Sequence, residues 1–498
     1  MKNVAVINAI EICGYAHRPI INGESSLERA INFARSLPDV DSVQILCKKT
    51  DVIQSCDSTH VVAEGNWSIK SMLSRITHIS RGFDNVFYLF GDTPFLDIRM
   101  ATSMYEKHRK YYAQYSFADG YPIGVSIEIL KSDILPILVQ LADEEDAQPA
   151  RDSLFTVIQK DINAFDIETD IASRDQRLLR VTLAADSRRN FAILKRLIDS
   201  GGKDAPSVIR ILDDQPFLLR SIPAYFYIQI VDGCPQACSY CPWAIVGGDI
   251  LNQRNEMPVE AFEKLLEKVS DYAEDATIGV SLWGEPSLHS AAARIIQSVA
   301  EFPSLSLVVE TSGIGWQEGV LDQISQGPLG PVQWIVSIDA LDQGLYKAYR
   351  GNGYAEACDT ALKLLDRFPL DTHIQAVRMV QGEPKLEAFY RHWKEKTENI
   401  IIQKYNHFCK FLPERKVTDL SPLSRFPCWH LKRDFHILLD GTVPACREDL
   451  KKQHIWGNAF AEPLDEIWDR GRDWYRQHIA KDFPEICREC DEYYTYNF

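Results

Sequence analysis

The sequence predicts an α/β protein of about three domains: two with largely parallel sheets, then a small cysteine-bearing segment. Three observations predict it. Short apolar strands alternate with amphipathic helices, as in "VAVINAI", "SLERAINFARSL", "SVQILC" and "NVFYLFGD". The length, 498 residues, exceeds what one core accommodates. The cysteines concentrate in two groups, one in the middle of the chain and one near its end.

Composition narrows the class. With 45% apolar and 25% charged residues the chain reads as soluble and globular. No apolar run approaches the ~20 residues that span a bilayer, so no membrane partner is expected. The start, "MKNVAVINAIEICGY", has no small-residue cleavage signature and reads as a first buried strand. A cytoplasmic location follows as the expectation, with the 12 cysteines as reduced thiols or metal ligands. A net charge of −16 without a basic, aromatic-interleaved stripe disfavours a nucleic acid partner.

The first domain is expected over residues 1–203. It ends in the helix "SRRNFAILKRLID" and the Gly/Pro/Ser seam "DSGGKDAPS". Its cysteines, Cys13, Cys47 and Cys56, lack ligand spacing and are expected to be small buried thiols. The second domain, residues 220–410, repeats strand and helix at longer spacing. Its strands are "YFYIQIV", "TIGVSLWG", "LSLVVETSG", "VQWIVSID" and "HIQAVRMV", with helices such as "VEAFEKLLEKVSDYAE" between them. That pattern fits a full or partial parallel barrel, whose functional residues sit at the C-terminal ends of strands. A proline-punctuated stretch, "FLPERKVTDLSPLSRFP", opens the last segment, 411–498.

"GCPQACSYCPW" follows the first barrel strand and holds Cys234, Cys238 and Cys241 as C-x3-C-x2-C. A cubane iron–sulfur cluster takes four thiolates, and a loop that supplies three leaves one iron open. A zinc loop with a distant fourth ligand, or incidental thiols, is the bland alternative, although zinc loops usually pair cysteines as C-x2-C. The spacing resembles the C-x3-C-x-aromatic-C motif of the radical S-adenosylmethionine (radical SAM) superfamily, with Tyr240 in the aromatic slot. The resemblance implies a partial (β/α)6 TIM-like barrel. It also implies a 4Fe–4S cluster whose open iron chelates S-adenosylmethionine, and cleavage of that molecule to a 5′-deoxyadenosyl radical that abstracts hydrogen from substrate.

Five further stretches, in order along the barrel, carry the same resemblance. "LWGEP" is similar to the family's G-G-E, implying that Trp283, Gly284 and Glu285 receive the methionine ammonium. "VVETSG" resembles a T-N-G strand end, with Ser312 in place of Asn. "IVSIDALD" and "YKAYRG" resemble the S-x-D and R-G pairing, implying Ser337 and Asp339 at the ribose hydroxyls. "IQAVRM" brings Gln375 and Arg378; the family resemblance implies an Arg at the methionine carboxylate, against a plain surface Arg.

In the last segment, Cys428 and Cys446 flank Gly441, and Cys487 and Cys490 form C-x2-C. Spacing alone leaves an iron–sulfur cluster and a four-thiolate zinc site level. The pattern resembles the SPASM domain, which implies auxiliary iron–sulfur clusters. The chain stops at Phe498 without the remaining ligands of that domain, so one auxiliary cluster, of the 4Fe–4S type and fully ligated by these four cysteines, is expected. Full ligation favours electron transfer or structural support. Cys409 is expected to be an isolated buried thiol.

In the first domain, Asp92 after "FYLFG" and Asp186 in "LLRVTLAADSRRNFAILKRLI" resemble nucleotidyltransferases of the Rossmann-like glycosyltransferase A-type fold. That resemblance implies a nucleotide and divalent-metal site at Asp92 and Asp186. The loop after the first strand, "NAIEICGYAHRPIINGESS", has one early glycine and no lysine, too few donors for a triphosphate, so a degenerate scaffold is expected. The three-part layout resembles the spiro-SPASM proteins. The leading expectation is a radical enzyme acting on a peptide or small-molecule substrate, with an electron donor such as flavodoxin or ferredoxin. The alternatives are a nucleotidyltransferase or sugar-modifying enzyme centred on the first domain, and a non-catalytic iron–sulfur or zinc protein.

Overall fold

The computed structural model describes residues 1–49, 59–142 and 148–495; Cys56 lies outside the described residues. It divides into two compact units, Met1–Leu219 and Arg220–Phe498.

The first unit holds a seven-stranded sheet of β1 (Asn3–Ala9), β2 (Val40–Lys48), β3 (Thr59–Glu64), β4 (Asn85–Phe90), β5 (Tyr115–Asp119), β6 (Glu128–Lys131) and β7 (Ile167–Ile171), in the order β3-β2-β1-β4-β6-β5-β7. All pairs are parallel except those of β6, which runs antiparallel to both β4 and β5. Every residue of β1 is buried, as the continuous run "NVAVINA" requires of a strand covered on both faces. Helix α1 (Ser26–Ser36) starts at a capping box in which Ser25 and Glu28 satisfy each other's backbone N–H groups.

The expected seam at 199–207 does not end the unit. Asp204 caps a further helix, Ala205–Asp214, and its Val208 and Leu212 pack with Leu194 and Leu197 of the preceding helix, Arg188–Asp199. The break falls after Leu219 because the apolar face of this extra helix belongs to the first core.

Two buried titratable groups give this unit opposing pH dependences. His108 is 2% exposed, shares a 2.8 Å hydrogen bond with Ser116, and burial lowers its pKa to about 4. Its native pKa lies below the unfolded value, so its contribution is complete above about pH 6.5 and is lost as pH falls toward 4. Glu128, hydrogen-bonded by Tyr115 at 2.5 Å, is pushed up by burial, so its contribution is lost as pH rises from the ordinary carboxylate range. In urea titrations of the full chain, Glu128→Gln is expected to lose about 2 kcal/mol more than the wild type on going from about pH 7 to 5, because the opposing carboxyl contribution is gone. His108→Gln should instead lose about 2 kcal/mol less than the wild type over the same range. Equal slopes in the two variants would contradict this assignment.

The second unit is built on a parallel sheet of β8 (Tyr225–Ile228), β9 (Ala276–Gly279), β10 (Leu305–Thr311), β11 (Val332–Ser337), β12 (Thr372–Arg378) and β13 (Ile400–Lys404), neighbours in chain order. A seventh strand, β14 (Asp434–Ile437), comes from the cysteine-bearing segment and pairs in parallel with β8. The segment beginning at residue 411 is therefore part of the same compact unit as the barrel. The period of two sorts the side chains. Phe226, Ile228, Leu307 and Val309 enter the core beneath the helices, whereas Tyr225, Tyr227, Val308 and Glu310 line a cavity inside the barrel. No helix among the described residues is long and apolar enough to cross a membrane.

Candidate functional site

The cysteine loop leaves β8 at its C-terminal end and is pinned before any thiol is considered. A Cβ on Gly233 would lie 2.3 Å from the Gln253 carbonyl, so only glycine fits the turn. Backbone bonds run from Cys234 to Ile250 (2.8 Å), from Ser239 to Tyr349 (2.7 Å) and from Cys241 to Cys238 (3.0 Å). Gln236 donates to Tyr346 (2.9 Å) and to the Asn352 carbonyl (3.0 Å), and accepts from Arg350 (3.0 Å). The loop thus rests on the helix Gln343–Arg350 and on the turn that follows it.

Burial pushes all three thiols up, Cys241 to about 11. Neutral thiols in an apolar shell become thiolates when a cationic centre replaces their protons. The set fits a cluster-binding loop: three thiols, rigidly presented at a strand end, with no fourth cysteine in the loop. Among the described residues, no group of three or more His, Cys, Asp or Glu is gathered as a ready ligand set for a single metal ion.

Tyr240, Cys241 and Trp283 form one side of a cavity of about 180 Å³, which continues past Tyr225, Tyr227 and Glu310 to Lys404 and Arg447. Trp283 sits at φ +51°, a left-handed conformation in which glycine is the ordinary occupant, and its ring stacks on Trp243 at 6.0 Å. Its carbonyl accepts from Gln229 (2.9 Å). A Cβ on Gly284 would lie 1.9 Å from the Val231 carbonyl, so that position serves close backbone approach.

Several residues expected to meet the cofactor make hydrogen bonds within the scaffold. Glu285 is 3% exposed and accepts from Thr311 Oγ1 (2.5 Å), the Ser312 N–H (2.7 Å) and the Ser287 N–H (3.4 Å), clamping the end of β9 to that of β10. Burial raises its pKa, against those hydrogen bonds. Ser312 is buried in this clamp, and its hydroxyl accepts from the Ile314 N–H (3.3 Å).

Asp339, with a fully buried side chain, accepts from Tyr240 (2.5 Å), the Val377 N–H (2.7 Å) and Arg350 (2.8 Å). It holds the aromatic slot of the cysteine loop, and its backbone is left-handed at φ +64°. Ser337 accepts from Gln375 (3.1 Å). Arg378 forms a partly exposed two-point ion pair with Glu383 (2.5 and 2.8 Å), the surface alternative, because Glu383 begins the next helix directly beside it.

Sequence reasoning missed Tyr225, Tyr227, Glu310, Lys404 and Arg447 in the cavity wall. A signal was available for Glu310: it is the single charge in the strand "LSLVVET", in phase with the inward Val308. Burial raises the Glu310 carboxyl, with Arg447 acting in the other direction. Lys404 pairs with Asp491 (3.1 Å) and with Glu492.

The C-terminal cysteines converge. Cys428, Cys446, Cys487 and Cys490 line a second, smaller cavity, and Cys409 lines it too. Cys409 is therefore not isolated. Phe408, Cys409 and Lys410 all adopt left-handed backbone (φ +49°, +54°, +66°), which turns the thiol to hydrogen-bond that of Cys490. Lys410 pairs with Glu489 at 2.5 Å and ties this turn to the C-x2-C stretch. The Cys490 hydrogen bond and burial push Cys409 up, and burial pushes Cys487 to about 12. Arg447, next to Cys446, lines both cavities.

In the first unit Asp92 and Asp186 are brought together, because the Ala185 N–H donates to the Asp92 carbonyl (2.8 Å), and Arg151 bridges their carboxylates. Cys13 lies beside them, its thiol donating to the Ala185 carbonyl at 3.2 Å, while Cys47 is buried.

The family model described as the radical SAM superfamily matches residues 228–403, and the SPASM iron–sulfur cluster-binding domain matches residues 428–491. An uncharacterized protein of Treponema pallidum (strain Nichols) is 37% identical over 359 residues, 69% of this chain and 98% of that protein. Among solved structures, Streptococcus suis SuiB bound to S-adenosylmethionine is similar with a TM-score of 0.42 at 15% identity, covering 57% of this chain and 80% of that one. A cytidylyltransferase from Leptospira borgpetersenii gives a TM-score of 0.36 at 13% identity, over 44% of this chain and 95% of that one. Barrel, cysteine loop and family matches coincide over the same residues, and the chain belongs to the radical SAM superfamily, with a SPASM iron–sulfur cluster-binding domain after its barrel.

Proposed function

We propose that Cys234, Cys238 and Cys241 hold a 4Fe–4S cluster with one open iron, and that the chain is an enzyme acting on a peptide or small molecule seated in the barrel cavity. The observation that carries this reading is the position of the cysteine loop: it leaves the C-terminal end of β8, and Cys241 opens onto the cavity lined by Tyr225, Tyr227 and Glu310. When bound, the cluster and S-adenosylmethionine supply a 5′-deoxyadenosyl radical that takes a hydrogen atom from the substrate.

The chain's own residues do the rest. Gln236 and the Asp339–Arg350–Tyr240 network fix the loop, so the thiols need not reorganise on loading. Trp283, stacked on Trp243 and 5.7 Å from Phe408, walls the cavity from water on the loop side. Glu310 offers a carboxyl to a substrate N–H or O–H, and the Tyr225 and Tyr227 rings, stacked at 4.1 Å, form an apolar floor. Cys428, Cys446, Cys487 and Cys490 ligate one auxiliary cluster, with Cys409 as a fifth thiol at its edge.

The test is anaerobic reconstitution with iron and sulfide, reduction by a flavodoxin or ferredoxin system in the presence of S-adenosylmethionine, and assay for 5′-deoxyadenosine. Formation of that product is expected. A reconstituted protein with a full iron complement that makes none would sink this reading in favour of a non-catalytic iron–sulfur protein.

A further inference from the structure

The two aspartates of the first unit, Asp92 and Asp186, have the arrangement of a divalent-cation site, but the space between them is filled. Asp92 follows β4 and is 7% exposed; Asp186 precedes the helix Arg188–Asp199. A single nitrogen, Arg151 Nη2, donates to Asp92 Oδ2 at 2.5 Å and to Asp186 Oδ2 at 3.3 Å. The remaining oxygen of Asp186 is also engaged, accepting from Asn190 (2.8 Å) and from Ser187 (3.3 Å). Asp92 Oδ1 is buried without a partner among the described residues. The guanidinium is held from its other side by the ring of Phe90, 4.8 Å away.

Magnesium and its analogues need oxygen ligands at about 2.0–2.1 Å in near-octahedral array, with room for several waters. Here the two facing oxygens already converge on an N–H donor. A second cation placed between them would stand against a fixed positive charge in a poorly solvated site. Burial raises the Asp92 carboxyl, Arg151 opposes that shift, and Asp186 adds to it. The aspartate pair is thus held together by the arginine.

We infer that Arg151 takes the place of a divalent cation between Asp92 and Asp186, so that the first unit does not bind a metal–nucleoside triphosphate at this pair. The inference is independent of the radical chemistry of the barrel, since every residue it uses lies in Met1–Leu219. It assigns the aspartates a structural role and leaves the fold without the counter-ion that phosphoryl or nucleotidyl transfer there would require.

The test is titration of the full-length protein with Mn2+, reading free ion by room-temperature EPR. The wild type and Asp92→Asn are expected to bind Mn2+ identically. Arg151→Ala should gain one site at least about tenfold tighter than anything in the wild type, since a fixed positive charge has been removed from between two carboxylates. That site should vanish in Arg151→Ala/Asp92→Asn. A wild-type Mn2+ site lost in Asp92→Asn overturns the inference, as does a folded Arg151→Ala protein that gains none. Arg151→Gln, which keeps the side-chain volume, serves as the second variant if the alanine form does not fold, and the comparison of wild type with Asp92→Asn needs neither.

Discussion

The chain with Cys234, Cys238 and Cys241 all replaced by alanine is expected to make no 5′-deoxyadenosine above the buffer baseline, while retaining the iron bound at its C-terminal cysteines. The two thiol sets line separate cavities, and the loop that carries the first set is fixed by Gln236, Tyr240 and backbone bonds that alanine leaves intact. Iron per chain should fall by about half, as expected for loss of one of two four-iron clusters. A charge-transfer absorption spectrum should persist at reduced intensity. If the variant still cleaves S-adenosylmethionine, the assignment of the two sites is wrong. If it loses all its iron, the C-terminal cysteines do not form an independent site.

The second large effect is on stability. Arg350→Met leaves Asp339 as an uncompensated charge with a fully buried side chain, and the loss of one partner of such a pair costs about 3–5 kcal/mol. The readout is urea unfolding followed by tryptophan fluorescence, because Trp67 is the only one of the 10 tryptophans that lies in the first unit. The double variant Arg350→Met/Asp339→Leu should recover part of the loss, since both charges leave the interior together while the Tyr240 hydroxyl and the Val377 N–H lose their acceptor. A single variant as stable as the wild type would show that the pair is solvated. A double variant no better than the single would show that Asp339 matters for its bonds to Tyr240 and Val377 rather than for its charge.

What the sequence disclosed was decided by local pattern. The apolar strands and the spacing of the two cysteine groups are legible as local pattern, and Cys428, Cys446, Cys487 and Cys490 line one cavity. What stayed hidden depends on long-range pairing. Nothing near Asp339 in the chain announces that Tyr240, 99 positions earlier, takes its carboxylate. Glu285 reads as a ligand for a cofactor, and its burial against Thr311 and Ser312 emerges only when adjacent strands are in register. Cys409 is brought to its cavity by three successive left-handed residues, none of them glycine, so no composition signal marks the turn. Strand β13 and the barrel's seventh strand were likewise missed; β14 is short, "DFHI", with a charged first residue whose burial is made possible by Arg433 and His430.

That seventh strand also bears on how the protein is made. β8 begins at Tyr225 and its partner β14 at Asp434, 434 − 225 = 209 positions later. At about 5–20 residues per second, a ribosome takes roughly 10 to 40 s to deliver the second strand after the first. For that interval the cysteine loop hangs from a strand with one unpaired edge, a state in which its thiols are open to oxidation and its backbone to mispairing. The place of the last strand in the chain thus sets how long that edge of the sheet waits for its partner.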